Sequence, residues 1–485
     1  MSKKNSSKQA LLLIGGSEVI GQGAAIIRRL IILRTIGVEN YGIAVPMLLV
    51  LGLLNRIIDV NPSSTIVQDR KGSTRRFRDA LQMVSVLRGV VFFVIVALLA
   101  VPLAVFNDLN SREYVMGFMF ISLIPLIQGM YNIDIYRQLR RRQYKSTAVA
   151  TAAAPVASTV MVAILCMFMS SFWVPLIGRF IHVISAVVIS FLMAKRRYRL
   201  RWDVGSVTRI LKFSVPLIIG GVVVFMSQRG AEQLLSASNF LFDYSIPKTE
   251  VGTLAAAVVI AMIPGTIGSK LTLQVFSPKI AEIRRKGSSL VHVFEQIQSV
   301  SLTIGSATMI MLQGGAVIIP ILLTEKFQAA GPFLVALSLF GALRISGAST
   351  RAFALATGRS KIIMYSNICS LLGLVCSVWV VYNQRDLIEI AYCMAIGEAS
   401  ATIFRGLMIK RMVPSLSMMV LFTKPFFVLL CAFGVGVLQR NAINELSVPT
   451  SVGVIIISVA VGAGALSLAW SPVRSKASGL VRSMI

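Results

Sequence analysis

Ionisable side chains recur inside long apolar runs of this sequence, at spacings that put them on shared helix faces. Glu18, Gln22 and Arg29 stand four and seven apart, so one face of a helix carries all three. Arg56 and Asp59 are three apart, as are Arg229 and Glu232, which lie between Gln228 and Gln233. Arg344 and Arg351 are seven apart, and Glu398, Thr402 and Arg405 form a similar row. Arg28, Arg88, Arg179 with His182, and Lys270 with Gln274 complete the set. About ten basic residues thus meet roughly five acidic ones, namely Glu18, Asp59, Asp134, Glu232 and Glu398, and embedded charges must face protein or water. An interior with surplus positive charge attracts anions, and pyrophosphate is well matched by several forked guanidinium groups.

The candidate anion-binding residues are therefore Arg28, Arg29, Arg56, Arg88, Arg229, Lys270, Arg344, Arg351 and Arg405. Glu18, Asp59, Glu232 and Glu398 either balance those charges or couple an ion. A blander role exists for Arg28, Arg29, Arg56, Lys270 and Arg405, which lie within about two turns of a helix end and can reach the lipid headgroups. Arg88, Arg229, Arg344 and Arg351 sit deeper. His182 and His292 stand in no metal-binding or catalytic spacing and are expected to be structural. The five cysteines fall in apolar runs without any C-x-x-C spacing, so no metal and no cofactor is expected. The sequence also contains no G-x-x-x-x-G-K-[ST], no H-E-x-x-H and no G-x-S-x-G, which removes the usual nucleotide, zinc-protease and serine-hydrolase routes.

The elements that position these residues are transmembrane helices. Hydrophobic residues make up 56% of the 485 and charged ones only 14%, which excludes a water-soluble fold. The apolar runs are about 20 residues long, enough for a helix to cross a hydrocarbon core of roughly 30 Å. They lack the alternation of a transmembrane β-barrel. About fourteen spans are expected, near residues 10–33, 41–60, 80–106, 114–136, 146–170, 173–194, 213–236, 250–276, 299–323, 331–357, 360–382, 386–409, 423–438 and 449–470.

Charge in the loops orients the spans. Clusters such as Arg75, Arg76 and Arg78, then Arg140, Arg141 and Lys145, follow the even-numbered spans. Roughly 32 basic residues fall on one side and about 6 on the other, which puts both termini in the cytoplasm. The formal charge of +29 thus reflects topology and contact with anionic lipid, and no nucleic-acid partner is expected. The connection over 277–298 alternates apolar and basic residues and suits an amphipathic segment on the cytoplasmic surface. A weak internal similarity at an offset of about 200 to 215 residues suggests two six-helix lobes in the same orientation. The expected organisation is an N-terminal lobe over 1–198, a basic linker over 199–212, a C-terminal lobe over 213–412, and two further helices with a tail over 413–485.

The stretch Arg28-Arg29-Leu30-Ile31-Ile32-Leu33-Arg34, with Ile36-Gly37-Val38-Glu39-Asn40-Tyr41-Gly42 after it, resembles the Wzx-type polysaccharide flippases. These belong to the multidrug/oligosaccharidyl-lipid/polysaccharide (MOP) exporter superfamily. Leu211-Lys212-Phe213-Ser214-Val215-Pro216-Leu217 and Phe276-Ser277-Pro278-Lys279-Ile280 add to the likeness. The resemblance implies two bundles around a cationic cavity that opens alternately to either side of the membrane, with the last two helices outside. In related lipid II flippases, basic residues of the first, second and eighth helices hold pyrophosphate, and Arg28, Arg29, Arg56 and Lys270 occupy those helices here. Asp243 stands with few other acids in the connection between spans 7 and 8, a departure from the family pattern.

Residues and resemblance together lead to a transporter, not an enzyme. It is expected to flip an undecaprenyl-pyrophosphate-linked glycan across the bacterial inner membrane for surface polysaccharide synthesis. A proton or sodium counter-ion, or the membrane potential, would drive it, alongside polysaccharide polymerase and export partners. The alternatives are a multidrug exporter of the same superfamily, which would want an acidic cavity, and a membrane polymerase or acyltransferase, which would want long outer loops or an embedded catalytic histidine. In a cysteine-free background, Arg141→Cys is expected to react with an impermeant thiol reagent only from the cytoplasmic side, and Asn110→Cys only from outside. Labelling of both from one side would overturn the topology.

Overall fold

In the computed structural model the described residues are 3–58, 66, 72, 74–141, 143–196, 199–285, 291–322, 327–357, 359–443, 453–455 and 457–459, and all their regular structure is helical. Nine helices among them are long and apolar enough to cross a membrane, or ten if one bent pair counts as a single span. The protein is a multi-pass membrane protein.

The chain divides into two compact units, Met1–Phe225 with Glu232–Gly252, and Met226–Ala231 with Thr253–Ile485. The first unit begins with α1 (Lys3–Ile58), whose helical backbone dihedrals are interrupted by a kink at Gly37. That residue sits at φ +75°, a region open to glycine without steric cost. The first two expected spans are therefore one element with a joint. Then come α2 (Arg75–Leu98), α3 (Ala100–Phe106), α4 (Arg112–Gly129), α5 (Asp134–Arg140), α6 (Lys145–Phe168) and α7 (Trp173–Met193). The helix α8 (Val204–Ser236), followed by α9 (Ser238–Phe242), starts nine residues ahead of the expected span. Asp203 caps it, accepting a hydrogen bond from the Ser206 backbone N–H at 3.1 Å. Hydrogen bonds from the Ser206 hydroxyl and N–H hold the Asp203 carboxyl below its usual range.

Lipid chains are as apolar as leucine, so helices in a membrane associate through close packing and polar contacts more than through water exclusion. The first unit shows both. A side chain at Gly89 of α2 would stand 2.6 Å from the Pro125 carbonyl oxygen of α4, and one at Gly129 would stand 2.7 Å from that of Ser85. The backbones there touch. Met47, Leu51, Phe118, Ile121, Phe172 and Leu176 fill the core between α1, α4 and α7. Where α4 stops and α5 begins, Asp134 ties three elements, α2, α5 and the segment leaving α7. It accepts from Arg78 of α2 at 3.1 Å, from Arg137 at 3.0 Å and from the Lys195 N–H after α7 at 3.1 Å. Gln138 donates to the Met193 carbonyl at 2.9 Å, so α7 is clasped twice.

The second unit is built on α10 (Lys248–Arg285), α11 (Val291–Leu322), α12 (Ala330–Ser346), α13 (Ala348–Ala356), α14 (Ser360–Ser370), α15 (Leu372–Tyr382), α16 (Ile388–Met412) and α17 (Lys424–Ile443), the last preceded by a π-helical turn at Met419–Thr423. Helix α11 packs on α12 and α17, and α12 packs on α16. The amphipathic surface segment expected over 277–298 is instead the continuation of two long helices, α10 to Arg285 and α11 from Val291. Ile280, Phe294 and Ile297 are buried against Phe353 and Ile409, because the ends of α13 and α16 offer them an apolar partner that the sequence pattern does not reveal. Most of the expected last span, and Asp59, lie outside the described residues.

Gly373 of α15 and Gly397 of α16 cross so closely that a side chain on Gly373 would stand 2.5 Å from the Cys393 carbonyl oxygen, and one on Gly397 2.5 Å from that of Ser370 at the end of α14. Gly434 has open space around it. Gly373→Ala is expected to lower stability by about 1–3 kcal/mol through overpacking, while Gly434→Ala is neutral or stabilising by up to about 1 kcal/mol. Thermal unfolding of both variants in detergent checks this, and equal midpoints would refute the crossing.

Candidate functional site

The sequence-singled residues fall into two groups, one inside each unit. In the second unit the centre is Glu398, only 6% exposed. Its Oε1 accepts from Arg405 at 3.1 Å and from Arg351 at 3.4 Å, and Arg344 lies within electrostatic range. The expected row on α16 is present, since Thr402 also receives a bond from Arg405, at 2.8 Å. Arg405 is fully enclosed, and its remaining N–H groups reach the hydroxyls of Thr350 and Ser366, both at 3.2 Å. It cannot reach the headgroups. Arg351 donates further to the carbonyls of Arg344 and Gly347.

The break between α12 and α13 makes this cluster possible. A side chain at Gly347 would stand 2.8 Å from Thr402 Oγ1 and 2.9 Å from Arg405 Nη2, so only glycine leaves room for the guanidinium. Arg344 lies one turn earlier, its stem against Gly265 of α10. With the Gln228 amide turned carbonyl-inward, its oxygen accepts from both terminal nitrogens of Arg344, 3.1 Å from one of them. Arg229 is half-buried beside it on α8.

Two guanidinium groups bond one carboxylate, and a third, that of Arg344, stands within electrostatic range of it. Unit charges 4 Å apart interact by about 4 kcal/mol at an effective dielectric near 20. Glu398 is thus indispensable to the two arginines that bond it.

In the first unit, Arg28 donates to Ser158 Oγ at 2.9 Å and lies within electrostatic range of Arg179 and Arg29. Arg29 and Arg56 are exposed on α1, and Arg56 packs against Gly221. Glu18 accepts from Gln22 at 3.1 Å, as the four-residue spacing predicts. Glu232 is buried. Arg88, Arg179 and His182 line one polar chamber. Lys270 sits on α10, its side chain outside the described atoms. Among the described residues, no group of three or more histidine, cysteine or carboxylate side chains could hold a metal ion.

Sequence reading did not find Thr350, Ser366 or Tyr131, since hydroxyls inside apolar helices carry no spacing signal. Nor did it find the clasp around Asp134. The step from Asp134 to Arg137 is a readable helix pair, but Arg78 arrives from 56 residues away.

This fold is shared with solved structures of membrane transporters. A lipid II flippase MurJ in an inward closed conformation superposes with a TM-score of 0.71, at 12% identity, over 94% of this chain and 98% of its own. An inward-facing multidrug resistance MATE transporter of the MOP superfamily matches at a TM-score of 0.58 and 15% identity, over 84% of this chain and 100% of its own. A MOP superfamily transporter from Pyrococcus furiosus, described by the reverse polarity of its binding pocket, matches at 0.56 and 15%, over 84% and 95%. No curated protein sequence matches the chain. The family model for polysaccharide biosynthesis proteins matches residues 31–332, and the chain belongs to that family. It is a multi-pass membrane protein with the fold seen in those transporter structures.

Glu398→Gln should lower stability by about 3–5 kcal/mol, because it leaves buried guanidinium groups facing one another. Adding Arg405→Met should recover part of that loss. Thermal unfolding in detergent measures both, and a Glu398→Gln midpoint equal to wild type would refute the cluster.

Proposed function

We propose that this protein flips an undecaprenyl-pyrophosphate-linked oligosaccharide across the bacterial cytoplasmic membrane to supply surface polysaccharide synthesis. The observation that carries this reading is the cluster of Arg351 and Arg405 bonded to Glu398 with Arg344 within electrostatic range, in a family named for polysaccharide biosynthesis. Sustained positive charge inside a membrane protein is costly, and a doubly charged pyrophosphate would offset it. The lobes over 1–198 and 213–412, joined by the linker 199–212, would present Arg28, Arg29, Arg56, Arg88, Arg229, Lys270, Arg344 and Arg351 to the headgroup. The lipid tail would stay in the bilayer, so no polar group meets bare hydrocarbon.

Within this reading Arg405 has a positioning role. It fixes Glu398, which in turn aims Arg351. Glu18, Asp59 and Glu232 are the acids available for coupling a proton or sodium gradient, with the membrane potential as the other source of drive. A multidrug exporter on the same fold would need net negative charge for its cationic substrates, the reverse of the balance around Glu398.

Arg344→Ala and Arg229→Ala are each expected to abolish surface polysaccharide while the protein remains at wild-type levels in the membrane. Normal polysaccharide from both variants would sink the assignment. Glu18→Gln and Glu232→Gln, compared with wild type in transport across a range of pH, should show a flattened profile if the coupling ion is a proton.

A further inference from the structure

The second unit holds a slot of about 690 Å³ between α11, α12, α13, α16 and α17, with Leu339, Leu343, Ala399, Leu421, Phe426 and Phe433 among its walls. We propose that this slot binds one acyl chain of an anionic phospholipid from the leaflet that faces Lys410 and Arg411, whatever substrate the protein transports.

The chemistry of the wall is the first observation. Its deep polar side chains are already engaged by the protein. Gln298 accepts from the Ser349 hydroxyl, Ser346 donates to the Leu343 carbonyl at 3.0 Å, and Thr350 donates to that of Gly347 at 2.8 Å. Thr350 and Thr402 both accept from Arg405. No lining residue has a buried side-chain polar atom without a hydrogen-bond partner. Water has nothing to satisfy there, and an apolar cavity of this kind stays dry or takes up hydrocarbon.

Access is the second. Helix α17 packs on α11, and the gap it leaves toward α16 is flanked by Ile403, Phe426 and Leu430, all exposed. The slot thus opens sideways to the bilayer. Thr350, Leu421 and Leu429 are buried and close its floor.

Length and volume are the third. On α17 and the turn before it the lining runs from Leu421 to Phe433, about 18 Å at 1.5 Å per residue. On α16 it runs from Tyr392 to Ile403, about 16 Å. One leaflet contributes about 15 Å of hydrocarbon, so the slot is one leaflet deep. Its 690 Å³ holds on the order of 20 methylene groups if each takes roughly the 30 Å³ of a water molecule. That is one acyl chain, and far less than an undecaprenyl tail.

Charge is the fourth. Lys410 and Arg411 lie in the last turn of α16, and Lys424, between the lining residues Thr423 and Pro425, opens α17. Residues 399–443 contain no Asp or Glu. Cations without acids at this end of the slot favour the phosphate of an anionic lipid. The chain it carries would pack behind Thr350 and Thr402, the hydroxyls that hold Arg405.

The test uses the full-length protein, delipidated in detergent and supplied with dioleoyl phosphatidylglycerol, with bound lipid counted by native mass spectrometry. The wild type should retain one molecule, and so should Val375→Phe, which adds a ring to an exposed position on α15. Ala399→Phe fills the slot and should bind at least tenfold more weakly. Equal retention by Ala399→Phe overturns the site. Equal affinity for dioleoyl phosphatidylcholine overturns the anionic headgroup, and tighter retention of undecaprenyl phosphate overturns the phospholipid as occupant. Should Ala399→Phe fail to fold, Phe433→Trp puts a reporter in the wall. Phosphatidylglycerol with brominated chains, at a few molecules per protein in detergent, should quench it more strongly than it quenches Val375→Trp, and equal quenching overturns the site.

Discussion

A charge inside a membrane must be answered by another charge, and the single carboxylate of Glu398 does this for much of the second unit. Its Oε1 receives Arg405 and Arg351, and each of those arginines fixes backbone or hydroxyl groups on α12, α13 and α14. The arrangement spans the break at Gly347, where the absent side chain makes space for Arg405. Glycine, arginine and glutamate there form one device. Packing holds the remaining interfaces, through backbone contacts such as Gly373 on Gly397, but packing alone would not determine where the positive charges stand.

Proteins of this architecture at 12–16% identity include a lipid II flippase and multidrug transporters, so the fold by itself is indifferent to the sign of what it carries. The sign lies in the side chains. On the proposed function, Arg344, Arg351 and Arg405 around Glu398 are the side chains that would select anions on a fold that imposes neither sign.

Much of the fold was legible because apolarity and helix period speak plainly in a membrane. The spans expected at 146–170 and 173–194 appear as Lys145–Phe168 and Trp173–Met193. Elements running past the bilayer were less legible, since a helix need not stop where its apolar stretch stops. Thus α8 begins at Asp203's cap, and α10 runs to Arg285 and α11 starts at Val291, both inside the segment read as a surface connection. In the site, contacts within one helix face could be read from spacing, as with Glu18 and Gln22 or Glu398 and Arg405. Those made across helices could not, because which face of α14 meets α16 depends on crossings set by glycines far along the chain. Ser366 reaching Arg405 is of that kind.

Gly37 interrupts an otherwise continuous α1, and this has a mechanical consequence. Arg28 lies nine residues upstream on a rigid rod, about 13 Å from the joint at 1.5 Å per residue. A 20° swivel at this one pivot would carry Arg28 through an arc of about 5 Å, more than the reach of a hydrogen bond, without altering any packing downstream of Val38. One residue's torsion angles thus act as a lever arm, converting a small local rotation into the making or breaking of a charged contact.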